Sequence, residues 1–230
     1  METEPQKTPQ LFIGCPVYKD LPLEWVASLQ KLMNSRPPYV IITNYFQSCL
    51  VHYSRNEIVK NFLARDGCDY LMWIDADMVY EPEDIQKLWD HKLDIVGGLY
   101  VKRKPPYHPT PGYCNAKTKW KVQGIGKWDE DKMTEVDFLG TGFMMVHRRV
   151  FEKMKEPWFE YRKYKDGYML GEDTTFCVKA KEAGFKVWLD PSIQVGHIGS
   201  YIYTPLDYLA MRKAMEDEHT TRSQPVLSPG

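Results

Sequence analysis

The segment Tyr70-Leu71-Met72-Trp73-Ile74-Asp75-Ala76-Asp77-Met78 constrains this chain most. Five apolar or aromatic residues in succession predict a buried strand, and Asp75 and Asp77 stand where that strand ends. In extended backbone, residues i and i+2 point to the same side, so the two carboxylates can aim at one point. Such oxygens suit a hard divalent cation. Mg²⁺ or Mn²⁺ takes one or two carboxylates and fills its other positions with water and phosphate. An Asp-x-Asp pair also serves as a plain loop cap, and the tripeptide by itself does not decide between the two uses. An EF-hand is excluded by spacing, because its sixth position would be Tyr80 instead of Gly and its twelfth Gln86 instead of Glu.

A chain of 230 residues is long enough to bury the core of one large α/β domain. Its 30 basic and 31 acidic residues give a formal net charge of −1, which predicts no broad attraction to nucleic acid or to a membrane surface. No apolar run approaches the ~18 residues of a spanning helix, and Met1 to Gln10 holds no apolar signal segment. A soluble cytoplasmic protein without stable membrane insertion is the expectation. Residues 1–10 and 216–230 are polar and expected to be disordered, flanking a single domain over 11–215. Cys15, Cys49, Cys68, Cys114 and Cys177 are odd in number and contain no C-x-x-C pair, so they predict reduced, mostly core thiols.

Along the chain, Leu11-Phe12-Ile13-Gly14-Cys15 predicts a first strand, with Pro16, Val17 and Tyr18 in the loop after it. Ligands of open α/β sheets collect at carboxyl ends of strands, so Tyr18 is either a face for a base or a packed loop residue. Val26, Leu29, Leu32 and Met33 recur at helical spacing, and Tyr39 to Asn44, including Thr43, forms the next strand. The helix expected over 54–64 carries Arg55 in its first turn. A cation there complements no helix dipole, so solvent or an anion such as phosphate has to account for it. Residues 94–100 form a strand whose Gly97 and Gly98 imply close approach of another backbone or a ligand. Residues 102–132, with four prolines and the basic Lys102, Arg103, Lys104, Lys117, Lys119 and Lys121, form an irregular or two-stranded excursion. It is a lid or a solvated loop. Strands flank Gly140-Thr141-Gly142, Glu172 and Asp173 open a helix, and His197 sits between glycines.

The order of Pro16-Val17-Tyr18, Asp75-Ala76-Asp77, Gly140-Thr141-Gly142-Phe143, Gly171-Glu172-Asp173 and His197 resembles the GT-A glycosyltransferases, most closely inverting family-2 enzymes. The resemblance spans about residues 11–200. It implies an α/β fold with a mostly parallel, Rossmann-like central sheet flanked by helices. It also implies a nucleotide-diphosphate sugar donor, UDP or GDP sugar first, a Mn²⁺ or Mg²⁺ ion, and transfer to a hydroxyl acceptor. By the same resemblance, Asp77 and His197 would bind metal and Asp75 a metal-bound water or the ribose. Tyr18 would meet the base, and Arg55 the base or phosphate. Pro16, Val17, Thr43 and Ala76, with Gly140, Thr141 and Gly142, would complete the donor site. Asp173 would be the general base, with Glu172 its rival for that role.

The chain departs from the processive members of that group. It lacks Q-x-x-R-W and any membrane helix, so long-chain synthesis is not expected. A sugar-phosphate nucleotidyltransferase would carry G-x-G-x-R after the first strand, where Gly14-Cys15-Pro16-Val17-Tyr18-Lys19 stands instead. A metal-dependent nucleotide- or glycan-binding module without catalysis is the remaining alternative. The acceptor class, whether glycan, protein, small molecule or modified nucleotide, stays open at this level.

Overall fold

The computed structural model describes residues 8–115, 118, 121–164, 166–199 and 201–222. In chain order the elements are β1 (Gln10–Val17), α1 (Leu23–Asn34), β2 (Val40–Gln47), α2 (Val51–Leu63), β3 (Cys68–Ile74), β4 (Met78–Val79) and α3 (Pro82–Asp90). There follow β5 (Ile95–Leu99), β6 (Gly112–Tyr113), β7 (Gln123–Gly124), β8 (Thr134–Val136), β9 (Phe143–His147), α4 (Arg148–Lys153), β10 (Arg162–Lys163) and β11 (Met169–Leu170). The last are α5 (Glu172–Glu182), β12 (Val187–Gln194), β13 (Gly196–Ile198), β14 (Ile202–Tyr203) and α6 (Pro205–Arg222).

Seven strands form the central sheet in the order β2-β1-β3-β9-β5-β12-β8. β2, β1 and β3 pair in parallel, as do β5 and β12, while β9 runs against both β3 and β5 and β8 against β12. Five strands therefore share one direction, and β9 is threaded backwards through the middle. Their carboxyl ends make one rim. Because β9 is reversed, its starting residue Phe143 lies at that same rim opposite Ile74.

Alternation along the strands sorts the core onto two faces. Phe12, Leu71, Trp73, Met144 and Val146 join Ile58, Phe62, Phe151 and Phe176 from α2, α4 and α5. Leu11, Ile13, Met72, Ile74 and Met145 join Trp25, Leu32, Ile85 and Leu88 from α1 and α3. This is a helix–sheet–helix sandwich, buried on both sides as a parallel sheet requires. Gly97 allows the close approach its sequence implies, since a Cβ there would lie 2.8 Å from the Phe143 carbonyl. The neighbour is backbone.

Several boundaries differ from the sequence reading. α2 starts at Val51 instead of Ser54, so Arg55 lies beyond the first turn and is buried, 2% exposed. Solvent does not account for it. The buried face of α1 is Trp25, Ser28 and Leu32, whereas Val26 and Met33 are exposed. Trp25, the largest side chain of that helix, selects the face, and Ser28 Oγ accepts a hydrogen bond from the Tyr80 amide at 3.2 Å. His197 lies within β13, and the excursion over 102–132 is two-stranded where β6 pairs with β7. Lys117 and Lys119 fall outside the described residues, as do 1–7 and 223–230 of the two expected tails. Within those tails, Gln10 already pairs in β1, and α6 continues through Arg222. Cys49 is exposed and the other four cysteines are buried, all as free thiols. No helix among the described residues is long and apolar enough to cross a membrane.

Arg148 closes the far end of α2. Its guanidinium donates to the carbonyls of Cys68 at 2.8 Å, Phe62 at 2.9 Å and Leu63 at 3.1 Å. The Phe62 and Leu63 carbonyls lie in the last turn of α2, which leaves them without an intrahelical partner. Arg148→Met keeps the aliphatic bulk and removes the donors, and is expected to lower unfolding free energy by about 2–4 kcal/mol. Urea denaturation checks this through a lower midpoint with an unchanged slope.

Candidate active site

The centre of the rim is an ion pair. Arg55 Nη2 lies 2.9 Å from Asp75 Oδ2 and Nη1 2.9 Å from Oδ1, a two-pronged contact between a buried guanidinium and the carboxylate at the end of β3. Trp73 and Phe159 flank the guanidinium, 5.4 Å and 5.8 Å from its central carbon. Phe159 is held there by Asn56, whose Oδ1 accepts from the Trp158 and Phe159 amides and whose Nδ2 donates to the Phe159 carbonyl. Arg55 Nε lies 3.7 Å from Glu172 Oε1 on α5. Burial works against the charge on Arg55, but Asp75, then Glu172 and Asp173, outweigh it and keep Arg55 cationic. Burial pushes the Asp75 carboxyl up, with the Arg55 charge opposing.

Asp77 points to a different set of partners. β13 pairs with β4 so that His197 sits opposite Met78, which brings the imidazole beside Asp77. His197 Nε2 is 3.4 Å and Arg103 Nη1 2.9 Å from Asp77 Oδ2. Burial pushes Asp77 up, but the His197 contact and the Arg103 charge outweigh it and hold the carboxyl below its ordinary range. His197 Nδ1 lies 2.8 Å from the Val101 carbonyl. A carbonyl only accepts, so Nδ1 carries a proton, and that contact fixes the ring with Nε2 facing Asp77.

That juxtaposition bears on a metal. Two donors each ~2.1 Å from one ion lie ~3.0–3.4 Å apart at near-octahedral or slightly wider angles. The 3.4 Å between Nε2 and Oδ2 therefore fits a shared Mg²⁺ or Mn²⁺, with diphosphate and water completing the shell. Asp75 faces Arg55, with Oδ2 accepting from Nη2 and Oδ1 2.9 Å from Nη1 but outside hydrogen-bond geometry. Among the described residues no group of three or more His, Cys, Asp or Glu is arranged around one point. The protein can supply two ligands, Asp77 and His197.

Two cavities open on this rim. One, of about 410 Å³, is lined by Pro16, Val17, Tyr18, Ser48, Cys49, Asp75, Ala76, Asp77 and Arg103 among others. Tyr18, 75% exposed, presents an open ring face at its mouth. The second, of about 570 Å³, lies between the excursion and α5, with Lys102, Thr110, Gln123, Phe138, Tyr168, Asp173 and Tyr208 in its wall. Asp173 is half-buried there, and its Oδ1 accepts from the Thr174 amide at 2.6 Å. Burial first and the Glu172 charge second push its carboxyl up from 3.8 to about 6.

Tyr100 directly follows β5 and is buried. Its hydroxyl accepts from the Gly142 amide at 3.0 Å, and its ring packs edge-on against His197. A Cβ on Gly140 would fall 2.1 Å from that hydroxyl, and one on Gly142 2.8 Å. Gly140-Thr141-Gly142 is thus written by the approach of Tyr100, and Gly142 also accepts from the Asp75 amide at 3.0 Å. Thr141 is buried, 2% exposed, and Thr43 is an exposed residue inside β2, paired with Ile13; neither lines the first cavity. Sequence reasoning passed over Tyr100 and counted Arg103 only among the basic residues of the 102–132 excursion. A lone tyrosine at a strand end carries no signal, whereas the basic run Lys102-Arg103-Lys104 directly after a rim strand does.

No protein-family model matches the chain, and no curated protein matches it in sequence. Among solved structures, A197 from STIV superposes with a TM-score of 0.58 at 20% identity, covering 83% of this chain and 86% of that one. GalNAc-T7, solved with UDP, GalNAc and Mn²⁺, superposes with a TM-score of 0.56 at 11% identity over 83% of this chain. The match takes in only 43% of the GalNAc-T7 chain. At such identities the likeness concerns architecture, and on architecture it agrees with the motif order: the chain has the mostly parallel α/β fold of GT-A-type glycosyltransferases.

Proposed function

We propose that this chain is a metal-dependent inverting glycosyltransferase that moves a sugar from a nucleotide-diphosphate donor, a UDP or GDP sugar, to a hydroxyl acceptor. The observation that carries this reading is the pairing of two cavities on one rim. Asp75-Ala76-Asp77 lines the first, and Asp173, raised to about 6, lines the second. The donor would occupy the first cavity, its base against Tyr18 and its ribose on the Asp75 carboxylate that Arg55 orients. The acceptor would occupy the second. There Asp173 takes the proton of the acceptor hydroxyl as its oxygen bonds to the anomeric carbon and the bond to the diphosphate breaks. One displacement inverts the centre. Mn²⁺ or Mg²⁺ held by Asp77 and His197 would supply Lewis-acid stabilisation of the departing diphosphate. Glu172 suits the base role less, since it faces Arg55 at 3.7 Å.

A base with a pKa of about 6 makes donor-saturated turnover rise with pH, by tenfold per unit below 6, and level off above it. Asp173→Asn is expected to lose about 10²–10⁴ in turnover and to abolish that limb, whereas Glu172→Gln keeps the limb. Stability supplies an independent check. The folded state holds the Asp173 proton more tightly than the unfolded chain, so this contribution is complete below 3.8 and is lost as pH rises through about 6. Above pH 7 the ionised, half-buried carboxylate is destabilising, and Asp173→Asn should melt higher than the parent at pH 8 but not at pH 4. A variant that loses turnover and melts lower at both pH values would be merely damaged.

Donor affinity is expected to depend on a divalent cation through Asp77. Calorimetric titration of nucleotide sugar into the parent should weaken at least tenfold in EDTA, and Asp77→Asn should bind equally weakly with and without Mn²⁺. Equal parent affinity in EDTA would refute metal dependence.

A further inference from the structure

Arg103 is the cation of the rim whose partners are not all explained by packing. Its Nη1 lies 2.9 Å from Asp77 Oδ2 and donates to the Ile198 carbonyl at 3.1 Å, yet the side chain is 47% exposed and lines the cavity assigned to the donor. It contrasts with Arg55, sealed in place at 3% side-chain exposure on Asp75. Two acids one residue apart are therefore each covered by an arginine, one fixed and one free to leave.

We infer that Arg103 is a charge latch: it covers Asp77 in the free protein and transfers to the donor's diphosphate on binding, releasing Asp77 to the cation. The inference rests on the proposed donor site. Three observations carry it. Oδ2, the Asp77 oxygen that faces His197 Nε2, is also the oxygen Arg103 holds, so Arg103 and a cation shared with His197 compete for one atom. An ion pair this exposed is worth only about 0–1 kcal/mol, so a diphosphate displaces it easily. Guanidinium is the side chain best matched to phosphate oxygens, through paired N–H donors in a planar fork. The backbone around Arg103 joins both cavities. The Val101 carbonyl receives His197 Nδ1, and the Lys102 amide donates to the His108 carbonyl at 2.9 Å, in the stretch that walls the second cavity. Movement of Arg103 toward a donor is thereby linked to the wall of the acceptor space, which favours donor binding before acceptor.

The latch predicts opposite changes in two affinities of one variant. Mn²⁺ alone, and then UDP and GDP in saturating Mn²⁺, are titrated calorimetrically into the parent, Arg103→Ala and Arg103→Lys. Arg103→Ala should bind Mn²⁺ about twofold to fivefold more tightly, the worth of an exposed ion pair, and the preferred diphosphate about tenfold or more weakly. Arg103→Lys, which keeps the charge without the fork, should fall between on diphosphate. Both affinities falling together, or neither changing, overturns the latch and leaves a structural contact. A parent that binds neither Mn²⁺ nor either diphosphate overturns the donor-site reading, and the latch with it.

Discussion

The site depends on one ion pair, the buried guanidinium of Arg55 with the half-buried carboxylate of Asp75. A guanidinium removed from water loses several kcal/mol of solvation, which a carboxylate at contact distance offsets. Here Nη2 donates to Oδ2 at 2.9 Å, Nη1 lies 2.9 Å from Oδ1, and the faces of the guanidinium are covered by Trp73 and Phe159. Removing one partner would strand the other, a loss of about 3–5 kcal/mol. The pair also joins parts of the chain that are remote in sequence. Arg55 rises from α2, Asp75 ends β3, and Glu172 opens α5 at 3.7 Å from the same guanidinium. Both acidic motifs are therefore set relative to each other by one cation.

That arrangement separates three acids chemically. Asp75 is neutralised by a fixed cation, Asp77 is held below its ordinary range by His197 and Arg103, and Asp173 is raised to about 6. The difference follows from neighbours. Asp173 accepts from Thr174 and feels the Glu172 charge, with Arg55 opposing from further away, whereas Asp77 has a cation and an imidazole at contact distance. Carboxylates pushed apart in this way are suited to different roles in one site, one anionic toward cations and one able to exchange a proton near neutrality.

The fold and its rim were largely legible from residues. Tyr70 to Ile74 followed by Asp75 and Asp77 specifies a buried strand with acids at its end, because a period of two and an unbroken apolar run leave few other solutions. Other features lacked a local signal. The start of α2 is capped by Leu50 without a side-chain hydrogen bond, so no capping residue marks Val51, and the late start placed Arg55 in the first turn, where solvent or an anion had to account for it. The reversed direction of β9 has no sequence correlate, since an apolar strand reads the same either way. Its reversal is what delivers Gly140 to Gly142 to the rim. In α1, apolar Val26 and Met33 at helical spacing gave way to Trp25, whose size decides which face is buried. Asp77 with His197 required a three-stranded pairing of β14, β13 and β4 that local pattern does not encode.

The central claim is that the rim around Asp75 and Asp77 is a cation-assisted site for a nucleotide-diphosphate sugar. A ligand that binds only the folded chain raises its melting temperature, by about 2.7 kcal/mol of stability at a hundred times its dissociation constant. For a domain of this size that is about 5–10 °C. Melting curves recorded with UDP, GDP, CDP and dTDP sugars, each with and without Mn²⁺, measure this directly. The account predicts a rise of that order for one nucleotide class, present with Mn²⁺ and largely absent in EDTA. A melting temperature unmoved by every nucleotide sugar, with the cation and without it, would contradict it.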